Sequence, residues 1–142
     1  MNKTALSLTV FLCCGLANAA WASDLNCPAS VEVKQEILGT PSAWEAVGGV
    51  FKVPLDRVAF YLKHPRLGGS LVPDATRRRQ GEAREIWVFV SKADDEFWLG
   101  CIYQDTKVVL ARKLESGVSK CEVRYATLPS GSRLHVTQVS CE

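Results

Sequence analysis

Lys120-Cys121-Glu122-Val123-Arg124-Tyr125-Ala126-Thr127 decides the fold. Cys121, Val123 and Tyr125 alternate with Lys120, Glu122 and Arg124. A period of two places one set on the core face of a strand and the other in solvent. Pro129-Ser130-Gly131-Ser132 has turn chemistry and leads into a last strand over Leu134–Cys141. In the other direction, Glu115-Ser116-Gly117 and Asp105-Thr106 are turns that bracket a strand within Lys107–Leu114. Before them come Phe97–Gln104 (FWLGCIYQ) and Glu85–Ser91 (EIWVFVS), joined by the turn Ala93-Asp94-Asp95-Glu96. Both runs are apolar on each face, as expected for covered strands. Five strands with short connections predict a mainly β fold: an antiparallel meander, small sandwich or barrel.

The first half is less regular. Val31, Val33, Gln35 and Ile37 alternate with Glu32, Lys34 and Glu36, which predicts another strand. Thr40 followed by Pro41 fits the start of one short helix, ended by Gly48-Gly49. Val58, Phe60 and Leu62 form a strand that His64-Pro65 stops. The polar stretch Arg66–Arg84, with Gly68-Gly69, Pro73 and Arg77-Arg78-Arg79, is expected to be a long exposed loop.

The N-terminus has the form of an export signal over residues 1–22. Lys3 is followed by an apolar stretch from Ala5 to about Leu16, then by Ala17-Asn18-Ala19 and Ala20-Trp21-Ala22. The apolar run falls short of the roughly 20 residues a membrane span needs. Cleavage after Ala22 is expected to leave one β-rich domain over residues 23–142, with no membrane insertion. Cys13 and Cys14 leave with the signal. Cys27, Cys101, Cys121 and Cys141 then read as two disulfides of an exported protein. Three pairings are open. The expected one is Cys101–Cys121, tying nearby strands, with Cys27–Cys141 closing almost the whole chain. A zinc site is disfavoured because there is no Cys-x-x-Cys and no close Cys–His spacing. The formal charge falls from +2 to +1 without Lys3, so nucleic acid is not an expected partner.

Catalysis needs a nucleophile, a base and an orienting group. The chain has two histidines. His135 alternates with Leu134 and Val136 on a strand, and His64 stands before Pro65. There is no Gly-x-Ser-x-Gly elbow. Asp94-Asp95-Glu96 lacks the spacing of a calcium loop and reads as a hairpin tip. Trp87 and Trp98 lie in apolar strands and are expected in the core; Trp44 stands apart. No catalytic residue, metal or cofactor is expected. Arg77, Arg78 and Arg79 are the expected partner contacts, because guanidinium groups pair bidentately with carboxylates. A disulfide-bonded sheet that binds a protein is the outcome.

Several spaced motifs add a resemblance. Cys27-Pro28 opens the series, followed by Val58-Ala59-Phe60-Tyr61, Ser70-Leu71-Val72-Pro73-Asp74 and Ile86-Trp87-Val88-Phe89. Phe97-Trp98-Leu99-Gly100-Cys101-Ile102-Tyr103 comes next, then Thr106 with Leu110-Ala111-Arg112, and Gly117-Val118 with Cys121-Glu122-Val123; Cys141 closes it. This order resembles a family of small exported Gram-negative proteins named after a Salmonella locus lying among type VI secretion genes. The resemblance implies a periplasmic immunity protein that occupies the cleft of a secreted effector, one resembling L,D-transpeptidases that act on peptidoglycan. A periplasmic inhibitor of host lysozyme is the rival: Ser130-Gly131-Ser132-Arg133 is loosely similar to the loop such inhibitors use, with Leu134 in place of the usual tyrosine. An envelope structural or assembly factor is the third reading. A neighbouring gene for a secreted peptidoglycan enzyme would favour immunity, and loss of lysozyme resistance on deletion would favour the inhibitor.

Overall fold

The computed structural model describes residues 25–90 and 92–142. The expected signal segment, with Cys13 and Cys14, lies outside the described residues, as does Ser91. Eight strands follow one another: β1 Ser30–Gln35, β2 Gly49–Leu62, β3 Ala75–Arg79, β4 Glu82–Val88, β5 Phe97–Tyr103, β6 Val109–Lys113, β7 Lys120–Thr127 and β8 Arg133–Cys141. They form two four-stranded antiparallel sheets, ordered β1-β2-β5-β6 and β3-β4-β7-β8. The fold is mainly β, as expected, and of the arrangements left open it takes the two-sheet form. Consecutive strands pair within the hairpins β5–β6 and β7–β8, but β4 pairs with β7 and β5 with β2. The chain therefore changes sheet three times, after β2, after β4 and after β6.

That exchange corrects the cysteine pairing. Cys101 is on β5 and Cys121 on β7, in different sheets, and they are not bonded to each other. Cys121 instead faces Cys141 across the β7–β8 ladder, and those two are bonded, with Cα atoms 4.1 Å apart. Cys27 reaches Cys101, 74 residues on, and ties the segment before β1 to the middle of β5.

The core lies between the sheets. Val58 and Phe60 of β2 and Leu99 of β5 meet Ala83 and Trp87 of β4, and Cys121, Val123 and Tyr125 of β7. Phe60 is wholly buried, its ring 4.8 Å from Trp87 and 5.6 Å from Phe89. Trp87 is in the core as expected, and its indole N–H donates to the Leu71 carbonyl at 3.2 Å. Trp98 is half-buried, edge-on to His64 at 4.6 Å. Gly100 is required on β5: a Cβ there would stand 2.6 Å from the Tyr61 ring.

Two local expectations are corrected. No helix forms among the described residues. Between β1 and β2 the segment makes one turn, with Trp44 N–H donating to Pro41 C=O, and Ala43 has a φ of 74°, which a right-handed helix does not allow. The stretch Arg66–Arg84 is not one loop. Ala75–Arg79 pairs residue for residue with Glu82–Ile86 around the turn Gln80-Gly81, where Gly81 takes a φ of 79°. Leu71 folds back, donating its N–H to Phe60 C=O.

β2 divides at Pro54. Gly49–Pro54 pairs with β1, whereas Leu55–Leu62 pairs with β5, after a bulge between Leu55 and Arg57. Leu55 N–H donates to Ala29 C=O while Pro54 C=O accepts from Gln104 N–H. The β1 half of this ribbon is largely exposed, and the β5 half is buried from Val58 to Tyr61.

Candidate functional site

The outer face of the β3-β4-β7-β8 sheet is built from the alternate residues that the core does not take. Ala83, Glu85 and Trp87 point inward on β4, and Cys121, Val123 and Tyr125 on β7. Their neighbours Arg84 and Arg124 therefore point outward, and the register aligns Arg77, Arg84, Arg124 and Gln138 across the four strands. Arg79 belongs to the same face, two residues along β3. Arg78 falls on the opposite face, in the row of Ala83 and Tyr125. The sequence-predicted arginine triplet is thus neither a loop nor a single patch. It is an edge strand with two guanidinium groups on one side and one on the other.

Two carboxylates temper this face. Glu82 bonds the Arg84 guanidinium. Glu122 bonds Arg124 at 2.7 Å and lies 3.7 Å from Arg84. The hydrogen bond from Arg84 holds the Glu82 carboxyl below its ordinary value, with help from the charges of Arg84, Arg124 and Arg79. Arg77 and Arg78 have no ion pair among the described residues. The acids of the face are thus engaged by Arg84 and Arg124, which leaves a cationic rim along β3.

On the core side of the same sheet is an ion pair that sequence reasoning missed. Glu85 is 6% exposed and bonds Arg133 of β8, whose guanidinium carbon lies 4.6 Å above the Tyr125 ring. Burial, then the charge of Glu85, pushes the Tyr125 hydroxyl well above its ordinary value. Glu85 begins the run EIWVFVS, which reads as covered on both faces, so its inward position was the available signal.

A second exposed surface is apolar. Ile37, Leu38, Trp44 and Val47 in the β1–β2 connection, with Val50 and Phe51 of β2, all reach solvent; Leu38 is 91% and Trp44 75% exposed. Large exposed apolar groups in one region mark contact surfaces more often than chance.

The residues weighed for catalysis are scattered. His64 Nδ1 accepts the Arg66 N–H at 3.2 Å, and His135 is exposed on β8. Ser130 and Ser132 bond each other at 3.2 Å in the β7–β8 turn. Asp95 accepts the Lys92 N–H at 2.9 Å as a turn residue. A cleft of about 400 Å³ separates β8 from the Pro54–Leu55 handover, with Cys27 in its wall and His135 at its side. Among the described residues, no group of three or more His, Cys, Asp or Glu side chains is placed to hold a metal ion. The geometry favours recognition: a rigid disulfide-bonded sheet, a charged edge and an apolar projection.

Residues 51–142 match the Type VI secretion system Tli immunity protein family. The chain belongs to that family. The Tli immunity match begins within β2 and takes in every strand after it, both sheets and three of the four bonded cysteines. The chain is also 30% identical over 135 residues to the uncharacterised 16.3 kDa protein in the trpG 5′ region of Azospirillum brasilense, covering 89% of this chain and 87% of that one. No solved structure matches. Family membership makes this a type VI secretion immunity protein, whose partner is a protein effector.

Proposed function

We propose that this immunity protein works in the periplasm, where it binds an incoming type VI effector that acts on peptidoglycan, of L,D-transpeptidase type, and occludes its cleft. The family match over residues 51–142 carries the reading. Two disulfides support an oxidising compartment, and the signal-like residues 1–22 support export. Inhibition here needs binding alone, so the chain requires no catalytic group, metal or cofactor. Arg77, Arg78 and Arg79 are the proposed contacts.

The test is affinity capture with the tagged, oxidised protein. It is exposed to the producer's secreted and periplasmic proteins, with animal lysozyme added as competitor. Recovery of an effector that cleaves or exchanges peptidoglycan cross-links is the expected result. Recovery of an effector with another activity would retain immunity and replace the substrate. Lysozyme alone would move the function to inhibition of host lysozyme. Capture of neither, from samples shown to contain both, would leave an envelope structural role.

A further inference from the structure

We propose that the effector docks by strand addition, laying an extended, carboxylate-bearing segment along the open edge of β3. The identity of the partner rests on the immunity reading above; the surface and its chemistry rest on the sheet.

β3 is an outer strand, bonded to β4 on one side only. The turn Gln80-Gly81 closes the hairpin on the pair Arg79–Glu82. A two-residue turn makes that closing pair hydrogen-bonded, and such pairs then alternate along the ladder. Ala75, Arg77 and Arg79 therefore direct their N–H and C=O groups toward β4. Thr76 and Arg78 present theirs to the open edge, where an added strand would find both donors and acceptors.

The side chains select what is added. A second copy of β3 aligned antiparallel would place guanidinium groups against guanidinium groups, which is unfavourable. Charged residues of this kind are how sheet edges avoid pairing with themselves. An incoming strand with carboxylates at alternate positions reverses the sign. It meets Arg77 and Arg79 on one face, or Arg78 on the other, through charge-assisted bonds. Glu82 and Glu122, the acids of the outer face, already bond Arg84 and Arg124 and form no ion pair with Arg77. The same charges thus exclude one partner and admit another.

The experiment uses isotopically labelled, oxidised protein and a capped peptide of alternating glutamate and valine, with a lysine-for-glutamate peptide as control. Saturable amide shifts centred on residues 75–79, and slowed hydrogen exchange at Thr76 and Arg78, are expected with the acidic peptide only. Thr76→Pro removes an outward N–H without touching the charge or a β3–β4 bond. It should weaken binding about tenfold or more, whereas Thr76→Val should stay within about twofold. No saturable binding at millimolar peptide, shifts centred elsewhere, or equal affinity of Thr76→Pro and the parent would overturn strand addition. Should Thr76→Pro fail to fold, exchange at Thr76 and Arg78 in the parent decides. The two readings fail separately. An acidic peptide on β3 with no effector captured sinks immunity, while a captured effector indifferent to Thr76→Pro sinks only the docking mode.

Discussion

The two halves of β2 belong to one continuous strand and have opposite surroundings. Gly49–Pro54 pairs with β1 in an exposed ribbon, with Val50 and Phe51 open to solvent. From Val58 to Tyr61 the same strand is buried on both sides, under the second sheet within and against β5 residues such as Gly100 without. Each half forms an antiparallel ladder with one neighbouring strand, and the buried half adds a bridge between Tyr61 and Ser70. What differs is the presence of another layer, so apolar content along a strand measures burial only where something covers it. Apolar side chains in the uncovered half are free to bind.

The contrast can be tested by loosening each end. The Cys27–Cys101 bond closes a loop of 74 residues around the ribbon, and Cys121–Cys141 closes one of 20. Chain-entropy arithmetic gives about 4.5 and about 3.3 kcal/mol, so replacing the first pair by serine should be worse by about 1 kcal/mol in urea unfolding. Phe60→Ala is expected to remove about 3–5 kcal/mol. Phe51→Ala, in the same strand and half exposed, should stay within about 1 kcal/mol. Equal losses would mean that the ribbon is as well covered as the core. Gly100→Ala forces a Cβ onto the Tyr61 ring and should destabilise by about 1–3 kcal/mol, whereas Gly68→Ala has open space and should be silent in the same assay.

The smallest effect is in pH dependence. Bonds from Arg84, Lys113 and Lys120 hold the Glu82, Glu96 and Glu142 carboxyls below 4.5. The unfolded chain therefore takes up protons first as the solution is acidified. Whatever these pairs contribute is present above about pH 4.5 and is lost as pH falls through the lower folded values. Tyr125 acts at the other extreme. Its raised value favours the folded state below pH 10, and that advantage is lost as pH rises further. Thermal melts across both ranges should show the two slopes. A flat acid limb in Lys113→Gln together with Lys120→Gln would assign the acid limb mainly to those pairs.

Much of this was legible in the sequence. The alternation at Cys121, Val123 and Tyr125 located β7 and its buried face, and the apolar runs located β4 and β5. Edge partners were not legible, because side-chain period fixes the faces of a strand and says nothing of its neighbours. Hence sequence proximity points from Cys101 to Cys121, whereas the fold bonds it to Cys27. β3 escaped notice because Ala75–Arg79 has no apolar side to alternate, and its partner β4 turns Ala83 and Glu85 inward where larger apolar residues would have marked a strand. The arginines at 77, 78 and 79 were visible as charge. Their division between two faces and their place beside an open backbone edge emerge only from the register.

The Cys27–Cys101 bond has a further consequence for how the protein responds to a protease. Leu38, Trp44 and Val47 are exposed targets, and all lie inside the loop that this bond closes. A single cut there leaves both fragments covalently joined through sulfur, with the segment before β1 still tied to β5. The clipped protein would run as one piece on a gel until a reductant is added, then fall into two.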